Sequence, residues 1–142
     1  MGGGADPAAT INSITFNTAG TTNTATDIVN AKIFYTGTSA TFSNATQYGS
    51  TFTSFAGNLT ATDNFALLPG TNYFWIAYDM KLNATVSNVI DAQIVSFSLT
   101  DNSGTSVKIP SVTAPAGSRS IISSAPSGYC IPSPAVEAVG DY

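Results

Sequence analysis

The sequence predicts an all-β protein: a two-sheet antiparallel β-sandwich, immunoglobulin/fibronectin-like or jelly-roll-like, with irregular tails. Three observations predict it. Short runs of branched and aromatic residues recur along the 142 residues, separated by Gly, Pro, Asn and Asp turn signals. No stretch has a helical apolar period of useful length. One run, Leu67 to Met80, sets dense aromatic bulk behind a Pro-Gly turn.

Taken in order, residues 1–10 read as a flexible start, 11–122 as the sandwich, and 123–142 as a linker and the start of a following module. Ile11 to Asn17 is the first strand, with Ile14 and Phe16 on one face. Thr18 to Ala25 is a polar loop, and Asp27-Ile28-Val29 anchors the next strand. Ala31 to Thr36 alternates, Ile33 and Tyr35 facing one way and Lys32 and Thr36 the other. Ser39 to Ala45 is a loop with Phe42 as a plug. Thr51 to Phe55 alternates Thr with Phe, and Leu59 and Phe65 mark a pair around a turn.

Pro69 presets a turn and Gly70 takes a positive φ. Tyr73 to Tyr78 then reads as a strand apolar on both faces, the mark of a central, covered position. Val89 to Thr100 is the longest strand. Its apolar parity changes from Ile90, Ala92 and Ile94 to Val95, Phe97 and Leu99, which requires an extra residue near Ile94-Val95. Asp101-Asn102-Ser103-Gly104 is a hairpin turn. Val107 to Ile109 returns until Pro110 stops it. Val112 and Ile121-Ile122 offer one further strand.

Composition narrows the functional classes. Charged residues make up 8% of the chain, so the surface is polar through Thr, Ser and Asn. That surface is expected outside cells. The net charge is −4, and Lys32, Lys81, Lys108 and Arg119 are scattered singly. A phosphate-tracking groove needs them clustered, so nucleic acid is not expected as a partner. No apolar run reaches membrane-span length, so no membrane insertion is expected. No signal peptide is visible, and Met1-Gly2-Gly3-Gly4 reads as an added start. Cys130 has no partner within the chain. Either its partner lies beyond these residues, or it is an incidental thiol.

Leu68-Pro69-Gly70-Thr71-Asn72-Tyr73 resembles the tyrosine-corner segment of fibronectin-type and immunoglobulin-like sandwiches. The wider pattern adds Lys32 to Ser39, Phe42-Ser43, Tyr73 to Asp79 and Asn88 to Ala92. It resembles the N-terminal domain attached to BNR-repeat neuraminidases, over roughly Ile11 to Ile122. Gly128 to Ser133 and Gly140-Asp141-Tyr142 look like the opening of a next module. The resemblance implies a fragment of a large Bacteroidetes-type surface protein, exported by a type IX route. It does not imply sialidase activity, which belongs to a propeller domain whose Asp-box repeats and arginine cluster are not in this sequence. The resemblance to a tyrosine corner makes Pro69, Gly70, Tyr73 and Trp75 structural, with Tyr73 and Trp75 in the core. Phe74, Ile76 and Tyr78 then form an outward strip able to stack on sugar rings or pack on a neighbouring domain, unless another part of the chain covers it.

Catalytic residues are not expected. Histidine is absent, which removes His-based acid–base chemistry and most transition-metal sites. No pair of carboxylates is set by a recognisable motif. Asp79 and Asp91 flank one connection and are the weak candidates for sharing a hard cation; no cofactor is expected. Three Asn-X-Thr triplets, at Asn44, Asn58 and Asn83, suit surface loops. The expected role is a non-catalytic extracellular module: an adhesin, a glycan-directed accessory or a spacer. Its partners are glycans or neighbouring domains. The alternative is a self-assembling fibre subunit joined by strand addition.

Overall fold

The structure, a computed structural model, describes residues 8–122. The expectations for the linker, for Cys130 and for a following module lie outside the described residues. The elements are β1 (Thr10–Asn17), α1 (Thr24–Asp27), β2 (Ile28–Tyr35), β3 (Gln47–Phe52), β4 (Leu59–Ala66), β5 (Phe74–Met80), β6 (Val89–Ile90), β7 (Gln93–Asp101), β8 (Gly104–Lys108) and β9 (Arg119–Ser120). They form a four-stranded sheet, β4-β1-β7-β8, facing a three-stranded sheet, β3-β2-β5, with a small β6-β9 pair beside them. All pairings are antiparallel. This is the predicted sandwich.

The inner faces supply the core. Ile11, Ile14 and Phe16 of β1 meet Ala31 and Ile33 of β2, Tyr48 of β3, and Leu59 and Ala61 of β4. Ile11 and Ile14 face the same side although they differ in parity, because β1 carries an extra residue at Asn12 against β7: Ile11 opposes Leu99 and Ser13 opposes Ser98. The Asn12 side chain spans the irregularity, donating to Asn64 Oδ1 at 2.8 Å and accepting from Thr100 Oγ1 at 2.7 Å. A second irregularity lies where the parity change requires it. Thr15 opposes Ser96 but Phe16 opposes Ile94, so Val95 is the extra residue. Ile94, Phe97 and Leu99 therefore all pack toward the core. The predicted hairpin is present: Asp101 opposes Gly104, and Asp101 Oδ1 accepts the Ser103 N–H at 2.7 Å.

One edge of the sandwich is drawn shut where β3 and β4 lie on facing sheets. Gly49 has a φ of +69°, and a Cβ there would stand 2.9 Å from the Ala61 Cβ. Only glycine permits both the conformation and the approach. The Gly49 N–H donates to Asp63 Oδ2 and the Tyr48 hydroxyl donates to the Asp63 carbonyl, each at 3.2 Å.

Several expectations are corrected. Among the described residues β5 is not central: it pairs only with β2 and forms an edge of its sheet. Leu59 and Phe65 lie on one continuous strand, not around a turn. The middle strand starts earlier than Thr51, and its Tyr48 is fully buried. The Val89 to Thr100 stretch is split at Asp91-Ala92, since β6 pairs with β9 and β7 with β1. Residues at the end of the polar loop form α1. Asn23 caps it, its side chain accepting the N–H groups of Ala25 and Thr26.

Candidate functional site

The face assignment of β5 is the reverse of the expected one. Cross-strand partners share a face, and β2 sets that face for β5. Tyr35 opposes Phe74, Ile33 opposes Ile76 and Ala31 opposes Tyr78. Ala31 and Ile33 are core residues, so Phe74, Ile76 and Tyr78 pack inward against that core. Phe74 stacks on Tyr35 at 4.7 Å and meets Tyr48 edge-on at 5.5 Å. The Tyr78 hydroxyl donates to the Asp91 carbonyl at 3.1 Å, and burial pushes its pKa up to about 12. The sequence carried a signal for this orientation. Asp79 shares parity with Tyr73, Trp75 and Ala77, and an unburied charge marks the solvent face.

The outer face of the β3-β2-β5 sheet is therefore the aromatic one. Phe34 of β2 opposes Trp75 of β5. Phe42, expected to plug its loop, reaches over this outer face and remains 49% exposed. It meets Phe34 and Trp75 edge-on, each at 5.8 Å. Tyr73 lies nearly parallel to Trp75, 6.3 Å away and tilted by 21°. The indole Nε1–H donates to Thr36 Oγ1 at 2.8 Å, which fixes the ring plane. Tyr73 and Trp75 are half-buried. Further along the strand, Lys32 Nζ reaches Asp79 Oδ2 at 2.7 Å. The Lys32 ammonium, with the Asn30 amide, holds the Asp79 carboxyl below the usual carboxylate range.

The corner before β5 is closed by Asn72 and not by Tyr73. The Asn72 side chain accepts the Leu68 N–H at 3.0 Å and donates to the carbonyls of Leu68 and Gly70 at 2.8 and 3.1 Å. The Tyr35 hydroxyl adds a bond to Asn72 Oδ1 at 2.6 Å. Gly70 has the expected positive φ, and Pro69 is exposed. An amide has both a donor and an acceptor, so it bonds both polarities of a turn backbone.

The structure does not bring Asp79 and Asp91 together as a cation site. Asp79 is engaged by Lys32, while Asp91 Oδ1 accepts the Ala92 N–H and its carboxyl lies against Gly20. No group of three or more metal-ligating acidic or Cys side chains occurs among the described residues. Asp27 is fully buried and accepts the Thr85 N–H and the Asn88 amide, each at 2.7 Å. These bonds hold its carboxyl below the usual range. It pins the start of β2 to the connection after β5, and nothing in its local sequence announced that role.

The inner face of β5 opens on a groove. Phe74, then Ile76 and Tyr78, then Tyr78 and Met80 line successive hollows of about 420, 510 and 640 Å³ along the unpaired edge.

The described residues thus define a two-sheet antiparallel β-sandwich domain with one aromatic outer face. The family described as the N-terminal domain of BNR-repeat neuraminidase matches residues 3–103, and the chain belongs to it. The match spans β1 to β7 and includes the whole aromatic face. No curated protein and no solved structure matches the chain.

Proposed function

We propose that this domain is a non-catalytic extracellular module of a multidomain, neuraminidase-like bacterial surface or secreted protein. It serves as an adhesin or as an accessory that directs its parent to glycans. The observation that carries this reading is the outer aromatic face. Tyr73, Trp75 and Phe42 present ring surface to solvent beside a polar ion pair, the combination that stacks on a pyranose while bonding its hydroxyls. Support for the non-catalytic part comes from the carboxylates. Asp27, Asp63, Asp91 and Asp101 each accept a backbone N–H, and Asp79 is held by Lys32. Affinity electrophoresis through soluble polysaccharides tests the binding. Retention is expected for the native protein and is lost in Trp75→Ala and reduced in Phe42→Ala. A native protein that migrates freely through every polysaccharide reduces the domain to a spacer.

The fibre alternative has one observation in its favour, the β5 edge that no described strand pairs and the groove beside it. An extended segment from a neighbouring copy can add there as a strand. Size-exclusion chromatography with negative-stain imaging decides: filaments or higher assemblies favour it, and a clean monomer at high concentration removes it.

A further inference from the structure

We infer that the outer face recognises a neutral sugar through two adjacent hydroxyls and discriminates against a carboxylate-bearing sugar; this rests on the glycan reading above. Along β5 the outward residues run Tyr73, Trp75, Ala77, Asp79, about 7 Å apart. Lys32 stands directly across from Ala77, and Asn30 across from Asp79. Ala77 carries only a methyl group, so it floors a shallow step between the indole and the ion pair. A pyranose lying on that step sets one face against Trp75 and one edge against Lys32 and Asp79.

The ion pair is matched to that edge. Lysine only donates hydrogen bonds and an ionised carboxylate only accepts them. Neighbouring sugar hydroxyls do both, so one receives from Nζ while the next gives to Oδ. The pair is already assembled at 2.7 Å, and its side chains are 27% and 55% exposed, within reach of a ligand. A carboxylate arriving here meets Asp79 as a like charge and finds Lys32 already neutralised. No second cation of the described residues lies on this face. Lys81 donates to the Ala25 carbonyl, Lys108 lies on β8 of the other sheet, and Arg119 lies on β9 beside the inner groove.

The experiment uses a glycan array of matched pairs that differ only by a terminal sialic acid, probed with the full 142-residue chain. The native protein is expected to bind neutral members. Trp75→Ala removes that binding. Asp79→Asn, an exposed change that preserves the thermal midpoint to within a few degrees, weakens neutral binding about tenfold and frees Lys32 to accept sialylated members. Preference of the native protein for sialylated members overturns this inference and leaves the glycan reading standing. So does neutral binding that Trp75→Ala abolishes but Asp79→Asn leaves unchanged. Binding to no glycan of either kind overturns both.

Discussion

The two edges of this sandwich are built differently. At the edge where β3 faces β4, the sheets touch through Gly49 and Ala61, and Tyr48 and Asp63 bond across the seam. At the opposite edge a hollow lined by Phe74 of β5 and Ile94, Phe97 and Leu99 of β7 lies between the sheets. Among the described residues the buried side chains run from Ile11 to Ala61, and none is buried from Thr62 to Ile122. Yet the second half is not less apolar where it faces inward: Phe74, Ile76, Ile94, Phe97 and Leu99 all turn to the core. The difference teaches that burial is divided between the edges: one is sealed and the other is left open. The first half of the chain supplies the fully buried side chains, and the second half covers them with inward apolar residues that stay partly exposed.

Core truncation gives the largest test of that division. Phe16 has no exposed surface and meets Phe52 edge-on at 5.4 Å. Phe16→Ala is expected to destabilise the fold by about 3–5 kcal/mol, the range for emptying a closed aromatic site. Ile76→Ala, on the open edge, removes contacts from a half-wet side chain and leaves no sealed cavity. It is expected to cost about 1–2 kcal/mol, since only part of its transfer energy is realised. Urea denaturation of both variants measures the contrast. Equal losses would show that the open edge is as well packed as the closed one.

What was legible in the sequence is what is local. β1 and β2, the Asp101–Gly104 turn and the irregularity at Val95 are local patterns, and alternation with turn residues specifies them without reference to a partner. The face of β5 is not local. Alternation says that Tyr73 and Trp75 share a side, but the pairing with Ile33 and Ala31 decides which side that is. The resemblance to a tyrosine corner pointed the wrong way, whereas the charge at Asp79 pointed the right way. The face of Phe42 and the burial of Tyr48 were not legible for one reason: each sits in a polar run and packs against residues distant in sequence. Asn72 and Asp27 were hidden because short polar residues before strands read as ordinary turn formers, whatever they bond.

The pH dependence of stability sharpens the comparison at an intermediate scale. Asp27 ties β2 of the closed half to the connection leading out of β5, and its folded-state pKa lies below the ordinary value of 3.8. A depressed carboxylate contributes stability that is fully present above that value and is lost as pH falls through the folded one. Asp79 is depressed in the same direction, but its side chain is 55% exposed, so salt screens its pairing with Lys32. In moderate salt, the fall of the thermal midpoint below pH 3.8 is therefore expected to belong mainly to Asp27. Asp27→Asn is expected to lower the midpoint at neutral pH and flatten the acid limb. An acid limb as steep as that of the native protein would mean that the two halves are not joined through this carboxylate.

The smallest expected effect compares two tyrosines, one on each edge. Burial pushes Tyr48 and Tyr78 each up to about 12, and each donates its hydroxyl to a backbone carbonyl. Folding keeps both neutral above the ordinary value of 10.0, so their contribution is complete below pH 10 and is lost between there and about 12. Absorbance titration should show two tyrosines ionising late, with Tyr48→Phe and Tyr78→Phe each removing one. At neutral pH the two variants should differ. The Asp91 carbonyl, which Tyr78 serves, also accepts the Thr21 hydroxyl at 2.8 Å, so it stays paired when Tyr78 is shortened. The Asp63 carbonyl has no side-chain donor besides Tyr48 among the described residues, and it lies at the seam where the sheets close. Tyr48→Phe is thus expected to cost about 1–2 kcal/mol and Tyr78→Phe roughly 0.5 kcal/mol, because the first removes the one described side-chain donor of its carbonyl inside the closed seam and the second removes a surplus bond. A reversed order would place the tighter hydrogen-bonded seam at the edge where β5 is unpaired, against the division of labour drawn from burial.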